Sequence, residues 1–471
     1  MNEQSNQKTG IWKMDNILIC GYGVSGRAAA RLAAAMGRKV IIADEYSSLE
    51  MRAAAQALRR ENPDEEFISN WRPGHPLPSC DCVVISPGIR QESPLHKAAR
   101  AALRPGGRWL SELEFALGKV HCPFVSITGT NGKTTTTELT TALLRAAGIN
   151  AAASGNIGTA LSECALEAEK QQIGFLVIET SSFQLENIEE FPACPAAVLN
   201  LASDHIDRHG SLEAYARAKF KVLAAKLPAE QRIINANLRP WLKKFLPDTE
   251  VTTFSAETKD ADFTLEGQTV TFRGRPVYDL TKGQLHGRHN AENIMAALAL
   301  LRAVKGDEAM FAPAIAETLA AFKSGPHRME VFARQNGITY VNDSKATNPH
   351  AVNAAVRQFA DGRNLLLILG GLDKGMDFSE LEVSFPYIKQ AFLTGSCRGA
   401  LLNQLAGKVK CKLSGDFRSA VRDAVAAAAP GDVVMLSPAT ASMDMFKNYA
   451  ERGDMFKLLV LETLRKVRGT N

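Results

Sequence analysis

The chain has 471 residues, more than a single hydrophobic core usually organises, so two or three domains are expected. Its composition, with 45% hydrophobic, 22% charged and 7% aromatic residues, is that of a globular protein. The 55 Lys and Arg against 50 Asp and Glu leave a formal charge of +5. That excess is too small over this length to indicate nucleic acid, but it suits a substrate that carries phosphates.

Nothing in the sequence predicts a membrane-inserted or secreted protein. The apolar runs are shorter than the ~18 residues that a membrane helix needs, and residues 1–14 lack the apolar segment of a signal peptide. The eight cysteines are scattered without a C-x-x-C pair, which indicates neither a zinc site nor a disulfide framework. We therefore expect a reduced, cytoplasmic protein.

Short β-branched segments alternate with Ala-rich segments, which predicts an α/β protein with parallel sheets covered by helices. In residues 1–113, strands are predicted at 17–20, 39–43 and 82–86, and a helix after the first strand ends at Gly37. This block is predicted to be a Rossmann-like N-terminal domain.

The second block, residues 114–324, repeats the pattern. Strands are predicted at 124–127, 175–178, 197–199 and 232–234, and a helix after the first of them stops near Gly148. Between about residues 251 and 285, short alternating segments with glycine turns predict a small antiparallel sheet. The block is interpreted as a central P-loop ATPase-like domain.

The third block, residues 325–471, follows the linker-like residues 323–326. Asn336-Gly337 between two apolar runs predicts a β-hairpin, and further strands are predicted at 365–369, 390–393 and 433–436. This block is predicted to be a Rossmann-like C-terminal domain.

A first glycine loop, Gly-Tyr-Gly-Val-Ser-Gly at residues 21–26, lies between a predicted strand and a helix, and Asp44 ends the next strand. Glycines at such a turn let backbone N–H groups approach a pyrophosphate, while the acidic residue accepts a hydrogen bond from a ribose hydroxyl. The pattern is typical of a dinucleotide site, but NAD(P), another nucleotide diphosphate and an empty tight turn all fit it.

A second glycine loop, Thr-Gly-Thr-Asn-Gly-Lys-Thr-Thr at residues 128–135, has the same setting. Its amides would cradle phosphate oxygens, Lys133 would neutralise the terminal phosphates, and the Thr134 hydroxyl can bind Mg²⁺. Ile127 stands where the general phosphate-loop pattern has its first glycine. Two phosphate sites in adjacent blocks indicate two phosphorylated ligands.

Polar residues also follow other predicted strands. Glu179 is well placed to hold Mg²⁺ because it ends a strand beside the phosphate loop, and His205 follows the next strand in Asp-His-Ile-Asp. In the third block, polar clusters at residues 342–348, 370–375 and 437–442 indicate one ligand-facing rim.

Together these segments resemble the Mur ligases over about residues 21–453. The wider family, which also contains the folylpolyglutamate synthases, is marked by T-G-T-N-G-K-T at 128–134, N-L-x-x-D-H-x-D at 200–207, H-N-x-x-N at 289–293 and Pro-His-Arg at 326–328. Residues 179–186, 342–348 and 442–449 are similar to those of the members that add D-glutamate.

The resemblance implies an ATP-dependent amide ligase in peptidoglycan precursor synthesis. Its expected substrates are ATP, UDP-N-acetylmuramoyl-L-alanine and D-glutamate. In this family the substrate carboxylate attacks the γ-phosphate of ATP to give an acyl phosphate, and the incoming amine then expels phosphate. The resemblance also reassigns the first glycine loop from NAD to UDP. We expect a monomer without nucleic-acid partners.

Residue roles follow from the same resemblance. The expected catalytic residues are Lys133, Glu179, His205 and Lys219. The expected ATP-binding residues are Gly129, Thr130, Asn131, Gly132, Lys133, Thr134, Thr135, Asn290, Asn293, His327, Arg328, Asp343 and Lys345. The residues expected to bind the uridine nucleotide substrate are Gly21, Gly23, Val24, Ser25, Gly26, Asp44, Ser86, Pro87, Gly88 and Asn156, of which Asn156 contacts the muramoyl group. The residues expected around D-glutamate are Thr347, Lys374, Ser442, Met443 and Tyr449.

The resemblance further implies two Mg²⁺ ions. Thr134 and Glu179 would hold one, and His205 would help to hold the second together with a carbamate on Lys219. Carbamylation turns a cation into an anionic oxygen ligand that suits a hard metal. It requires a neutral amine, so Lys219 should lie in a partly buried site that lowers its pKa.

Three other interpretations stay open. A sister ligase or a folylpolyglutamate synthase would share the second glycine loop, although the N-terminal block and Ser86-Pro87-Gly88 argue against the folate enzyme. An NAD-dependent oxidoreductase would use residues 21–44 and leave Lys133 without a role. A non-catalytic nucleotide-sensing module would bind nucleotide without turnover.

Overall fold

The computed structural model describes residues 14–168, 173–188, 191–224, 226–373 and 375–468. The chain divides into two compact units. The first contains Met1–Leu201, Arg208–Lys282 and Ala291–Ala321, and the second contains Ala202–Asp207, Gly283–Asn290 and Phe322–Asn471. The predicted division into three domains at residues 113/114 and 324/325 stays a prediction.

The first unit begins with a parallel sheet. Its strands are β1 (Asn16–Cys20), β2 (Lys39–Ala43), β3 (Glu66–Ile68), β4 (Cys80–Ile85) and β5 (Leu103–Ser111), and its helices are α1 (Val24–Ala35), α2 (Leu49–Glu61), α3 (Pro94–Ala102) and α4 (Glu112–Leu117). The strand order is β3-β2-β1-β4-β5, and all four pairings are parallel. Ile17 and Ile19 pack into one apolar cluster, while Leu18 and Cys20 pack into another on the opposite face. Both faces are therefore covered, as expected for a near-continuous apolar strand.

A second sheet in the same unit is mixed. Its strands are β6 (Phe124–Thr128), β7 (Ala151–Gly155), β8 (Phe175–Glu179), β9 (Ala196–Val198), β10 (Arg232–Asn235), β11 (Thr252–Ser255), β12 (Phe263–Glu266), β13 (Thr269–Phe272) and β14 (Arg275–Asp279). The helices of this part of the chain are α5 (Lys133–Ala146), α6 (Leu161–Glu167), α7 (Ser182–Glu186), α8 (Ile206–His209), α9 (Leu212–Phe220), α10 (Arg239–Phe245), α11 (Arg288–Lys305) and α12 (Pro313–Ala321).

The order of this sheet is β14-β13-β12-β11-β10-β9-β6-β8-β7. The pairs β12–β13 and β13–β14 are antiparallel, as predicted for residues 251–285. They do not stand apart as a sheet of their own, because β11 pairs in parallel with both β10 and β12 and so joins them to the central sheet.

The second unit is built on a third sheet. Its strands are β15 (Glu330–Gln335), β16 (Ile338–Asn342), β17 (Leu365–Gly370), β18 (Ile388–Thr394), β19 (Cys411–Leu413) and β20 (Val433–Leu436), and its helices are α13 (Pro349–Phe359), α14 (Arg398–Leu405), α15 (Phe417–Ala427) and α16 (Tyr449–Arg468). The order is β15-β16-β20-β17-β18-β19. The predicted hairpin is confirmed: β15 and β16 are antiparallel, and Asn336 and Gly337 have φ values of 54° and 72°, as a type I′ turn requires.

The segments that sequence analysis singled out follow strands of these sheets. The glycine loops follow β1 and β6, and the polar clusters follow β8, β16, β17 and β20. Each lies at the carboxyl end of a strand with parallel neighbours, the edge at which α/β proteins bind ligands. No helix within the described residues is long and apolar enough to cross a membrane.

Candidate active site

The second glycine loop joins β6 to α5 and leaves no room for a side chain at Gly132. This residue has φ +82°, and a Cβ there would lie 2.3 Å from Oδ1 of Asn293. The same Asn293 oxygen accepts a hydrogen bond from Oγ1 of Thr136 at 3.2 Å. The structure thus brings Asn293, a predicted ATP-binding residue on α11, against the start of the phosphate-loop helix.

Asn200, which follows β9, holds the same loop from the other side. Its Oδ1 accepts from the Asn131 amide at 2.8 Å, and its Nδ2 donates to the Asn131 carbonyl at 3.0 Å. The Thr130 amide donates to the Asn200 carbonyl at 3.0 Å. Sequence analysis gave Asn200 no role, although its position after a parallel strand beside the Asp-His-Ile-Asp segment was a usable signal.

Two lysine ammonium groups lie against the carbonyl oxygens of this loop. Nζ of Lys133 donates to the carbonyls of Gly129 and Thr130 at 2.9 and 2.8 Å. Nζ of Lys219 donates to the Gly129 carbonyl at 2.8 Å and lies 4.5 Å from the Tyr215 ring. Lys219 is only 1% exposed, deeper than the partly buried site that was predicted. The concentration of positive charge here favours an anionic ligand.

Glu179, at the end of β8, receives hydrogen bonds on both carboxylate oxygens. Oγ1 of Thr134 donates to Oε2 and Nδ2 of Asn156 donates to Oε1, each at 2.7 Å. Glu179 is 1% exposed, and the Asn156 amide also donates to its carbonyl at 2.9 Å. Thr134 and Glu179, predicted to share a Mg²⁺ ion, are therefore adjacent.

Hydroxyl and carboxylate oxygens are hard donors of the kind that Mg²⁺ prefers. No group of three His, Cys, Asp or Glu side chains suited to a metal occurs in the described part of the chain. A cation beside Thr134 and Glu179 would therefore complete its coordination with phosphate or water oxygens, which is the usual arrangement for Mg²⁺ at a nucleotide. The donor set fits that ion.

The first glycine loop is held by two buried polar side chains. Oδ2 and Oδ1 of Asp44 accept from the amides of Tyr22 and Tyr46 at 2.6 and 2.8 Å. Oγ of Ser86 donates to the Gly21 carbonyl at 2.8 Å. A Cβ at Gly26 would lie 1.8 Å from that same carbonyl oxygen, so only glycine fits. Of the other predicted nucleotide-contacting residues, Gly23, Val24 and Gly88 are exposed, and Ser25 and Pro87 are half-buried.

In the second unit, Asp343 directly follows β16 and His327 precedes β15, and hydrogen bonds join the two segments. Asp343 accepts from the Met329 amide at 3.1 Å and from Oγ of Ser437 at 2.8 Å, and burial raises its pKa to about 7. Nδ1 of His327 lies 2.9 Å from Nδ2 of Asn342, and desolvation lowers its pKa. Arg328, the next residue, is half-buried.

Arg452, on α16, is a residue that sequence analysis missed. It is fully buried, its Nη2 donates to the carbonyls of Ser344 and Thr440 at 2.8 and 3.0 Å, and its Nη1 has no hydrogen-bond partner. Desolvation lowers its pKa to about 10. The signal that could have found it is a lone basic residue on an apolar helix face.

The other predicted residues of this unit are dispersed among these elements. Nζ of Lys345 lies 3.9 Å from the centre of the Tyr449 ring. Ser442 is buried, Met443 is 56% exposed and Thr347 is half-buried. Lys374 lies outside the described residues.

Two further predicted residues, His205 and Asn290, belong to the second unit by their packing. His205 has a left-handed backbone with φ 56°, and its Nδ1 lies 3.6 Å from Oδ1 of Asp204. Nδ2 of Asn348 donates to the other Asp204 oxygen at 3.2 Å. Asn290 donates to the His286 carbonyl at 2.9 Å.

Comparison with known proteins identifies two matching domain families. Residues 127–301 match the Mur ligase middle domain, and residues 327–440 match the Mur ligase, glutamate ligase domain. A UDP-N-acetylmuramoylalanine–D-glutamate ligase from Streptococcus sanguinis is 35% identical over 95% of this chain and 97% of its own length. The ligase of the same name from Anaeromyxobacter dehalogenans is 37% identical over 96% of this chain and 99% of its own length.

Solved structures with the same fold have much lower sequence identity. UDP-N-acetylmuramate-alanine ligase from Thermotoga maritima has a TM-score of 0.56 at 16% identity, covering 97% of this chain and 100% of that one. The MurF ligase from the same organism, solved in complex with ADP, has a TM-score of 0.55 at 18% identity, covering 84% of this chain and 97% of that one. At these identities the structures support the fold.

Proposed function

Because the chain belongs to the Mur ligase family, we propose that it is an ATP-dependent ligase that joins D-glutamate to UDP-N-acetylmuramoyl-L-alanine, releasing ADP and phosphate. The relatives that match nearly its whole length are named for this reaction. The observation that supports the proposal most directly is the pair of glycine loops in one compact unit, each between a parallel strand and a helix. One loop suits a nucleotide diphosphate and the other suits ATP.

The chemistry proceeds in two steps. A carboxylate is a poor acyl electrophile, so the carboxylate of the alanyl group first attacks the γ-phosphorus of ATP, forming an acyl phosphate and releasing ADP. The amine of D-glutamate then attacks the acyl carbon, and the C–O bond to phosphate breaks. Because the phosphoryl step needs mainly positioning and charge neutralisation, the Lys133 ammonium group beside the second loop is suitably placed to assist it.

Lys133 has the central part in the first step. In the structure its ammonium group lies on the loop carbonyls of Gly129 and Thr130. With ATP bound, we expect it to turn to the terminal phosphates, while the loop amides hold the phosphate oxygens. Asn293, which lies against Gly132 and Thr136, would support the conformation of the second loop. Asn290, His327, Arg328, Asp343 and Lys345 are proposed to complete the ATP site.

Thr134 and Glu179 would hold one Mg²⁺ ion, since their hard oxygens are adjacent. When bound, Mg²⁺ supplies positive charge to the phosphate oxygens. His205 and a carbamate on Lys219 are proposed for a second ion. Lys219 is only 1% exposed and lies beside the second loop, and this position supports the proposed modification.

The carbamate can be tested without measuring activity. Protein equilibrated with ¹³C-labelled bicarbonate should show a carbamate carbon signal by NMR, and Lys219→Arg should lack that signal. Lys243→Arg, which alters an exposed lysine, should retain it. A wild-type spectrum without the signal would contradict the modification but leave the ligase reaction intact.

The first loop is proposed to hold the UDP group, with the exposed Gly23 and Val24 facing the ligand and Asp44 and Ser86 fixing the loop. Asn156, whose side chain donates a hydrogen bond to Glu179, is proposed to contact the muramoyl group. Thr347, Lys374, Ser442, Met443 and Tyr449 are proposed to surround D-glutamate, whose two carboxylates need cationic and hydroxyl donors. We propose that the protein acts as a cytoplasmic monomer.

The test is phosphate release from ATP with UDP-N-acetylmuramoyl-L-alanine and Mg²⁺, with D-glutamate, L-glutamate, L-alanine, L-lysine and meso-diaminopimelate offered separately. Release with D-glutamate alone, together with an amide product, is the expected result. Release with another amino acid would move the proposal to a sister ligase. No release with any of them would overturn it.

A further inference from the structure

Arg208, on α8, joins the turn at Pro87–Ile89 to helix α7. These two parts of the first unit lie next to the first and the second glycine loop, and the proposed reaction requires a fixed distance between those loops. Its guanidinium side chain is only 7% exposed. Nη1 donates to the Pro87 carbonyl and Nη2 to the Ile89 carbonyl, the latter at 3.3 Å. On the other side, Nε donates to Oε2 of Glu186 at 2.8 Å.

Two aromatic contacts hold the same arrangement. Cζ of Arg208 lies 4.3 Å from the centre of the Phe183 ring, on α7. The adjacent His209 stacks on the same residue, with its ring centre 5.8 Å from that of Phe183, and its Nε2 lies 3.1 Å from Oγ of Ser182. The guanidinium thus donates to three acceptors through three separate nitrogens while its plane lies near an aromatic ring, and the single nitrogen of a lysine cannot occupy those positions together.

The contacts of Arg208 with Pro87, Ile89 and Glu186 are called the clamp below. Each of its two ends leads directly to one of the glycine loops. The turn that Arg208 holds begins at Ser86, whose hydroxyl donates to the Gly21 carbonyl of the first loop. At the other end, α7 follows shortly after β8, which ends at Glu179. The carboxylate of Glu179 accepts a hydrogen bond from the Thr134 hydroxyl of the second loop. Lys221 fixes the end of α7 by donating to the carbonyls of Leu185, Glu186 and Ile188 at 2.9, 3.0 and 2.7 Å. The path from one loop to the other is continuous.

We propose that Arg208 is a positioning residue for the uridine nucleotide substrate, clamping the turn at Pro87–Ile89 to α7 so that the two glycine loops keep a fixed span. The inference rests on the proposed function, in which one substrate is anchored at the first loop and reacts at the second. A substrate held at one end reacts at the other only if that span matches its length. An error of about 1 Å in such a placement can cost on the order of 100-fold in rate.

The test compares turnover with the binding of each half-ligand. In Arg208→Met, turnover with UDP-N-acetylmuramoyl-L-alanine should fall about 100-fold. The dissociation constants of UDP alone and of ADP alone should each stay within about threefold of wild type, since each occupies one loop. Arg208→Lys should lose nearly as much, and Glu186→Gln, which keeps a neutral acceptor, about tenfold.

A matched control is Arg217→Met. Arg217 also pairs with one carboxylate, Glu213 at 3.1 Å, and lies 4.7 Å from an aromatic ring, that of Phe245, but it is 61% exposed on α9. Turnover in this variant should equal that of wild type. Millimolar guanidinium should restore part of the turnover of Arg208→Ala and none of that of a Lys133 variant, because the missing group is then supplied to the clamp.

Two results would overturn the inference. One is turnover within about twofold of wild type in both Arg208→Met and Arg208→Lys. The other is a parallel loss of UDP affinity, ADP affinity and turnover, which would show that Arg208 stabilises the unit without setting the span. If Arg208→Met does not fold, Arg208→Lys and Glu186→Gln decide the question. Wild-type protein without turnover or UDP binding would instead count against the proposed function.

Discussion

The two glycine loops of the first unit both connect a parallel strand to a helix, yet different side chains support them. The first is fixed by the Asp44 carboxylate and the Ser86 hydroxyl, which bond to backbone groups of the loop. The second is fixed by the Asn200 amide and has two ammonium groups, those of Lys133 and Lys219, against its carbonyls. The same local geometry therefore has anionic support in one place and cationic support in the other.

This difference suits the two phosphorylated ligands that are proposed for the two loops. At the first loop, phosphate would meet backbone amides, which bind without driving a reaction. At the second, it would meet the Lys133 ammonium group, which can neutralise charge as it develops, beside the Thr134 and Glu179 oxygens that are proposed to hold Mg²⁺. We therefore propose that the first loop holds a substrate and that the second takes part in the reaction.

The largest effect is expected from Lys133→Met. Removing the cation should lower turnover by about 10²–10³-fold, the loss typical of one charge-stabilising donor. ADP affinity should fall while UDP affinity stays unchanged, as measured by calorimetry on the same preparation. The exposed Lys243→Met is the control. Equal losses of both affinities would contradict the assignment of separate roles to the two loops.

The fold was largely predictable because burial imposes local patterns. Strands 39–43 and 433–436 were predicted at their observed bounds, since runs of β-branched and apolar residues ended at glycine or polar residues. The assignment of β12–β14 to the central sheet was not predictable, because it depends on the parallel pairing of Phe254 with Phe263 across an irregular loop.

The candidate site was predictable where chemistry lies in a contiguous motif and not where it depends on tertiary contacts. Glu179 was expected beside the phosphate loop because it ends a predicted strand, and its carboxylate accepts a hydrogen bond from Thr134 of that loop. Asn200, Arg208 and Arg452 were missed, since each acts by reaching backbone carbonyls or amides of distant segments. Asp44, interpreted as a ribose acceptor, accepts from the Tyr22 amide of the first loop with one oxygen and from the nearby Tyr46 amide with the other.

The next effect concerns Glu65, a buried carboxyl group near the first glycine loop, and the dependence of stability on pH. Glu65 is 3% exposed, neither of its carboxylate oxygens has a hydrogen-bond partner, and burial raises its pKa from 4.5 to about 7. Burial, and then the charge of Glu65, raises the pKa of Tyr22 in the first loop to about 12. The carboxyl group therefore lies close enough to influence that loop.

The folded state favours the protonated form of Glu65. The contribution of this group to the free energy of unfolding is therefore complete below pH 4.5 and is lost as the pH rises to about 7. Glu65→Gln should remove this loss, roughly 1.4 kcal/mol for each pH unit and roughly 3 kcal/mol in all. Urea unfolding at several pH values would measure it, with the exposed Glu66→Gln as control. Parallel pH profiles for wild type and Glu65→Gln would refute the prediction.

Asp44→Asn tests whether the first loop is fixed by its carboxylate. One amide nitrogen would then face a backbone N–H, so the free energy of unfolding should fall by about 2 kcal/mol. The KM of the uridine nucleotide substrate should rise while that of ATP stays unchanged. The exposed Asp64→Asn should be neutral. Unchanged stability with abolished UDP binding would instead favour direct contact between Asp44 and the ligand.

The smallest effect is expected from Asn200→Ala at the second loop. Two hydrogen bonds to Asn131, at 2.8 and 3.0 Å, disappear, so the loop loses its support while both lysines remain. The KM of ATP should rise about tenfold, in line with the net contribution of one to two hydrogen bonds. Turnover at saturating ATP should change little, because the reacting groups are intact. Asn237→Ala, on an exposed residue, is the control. A loss of turnover as large as that of Lys133→Met would mean that loop conformation, and not the cations, distinguishes the second loop from the first.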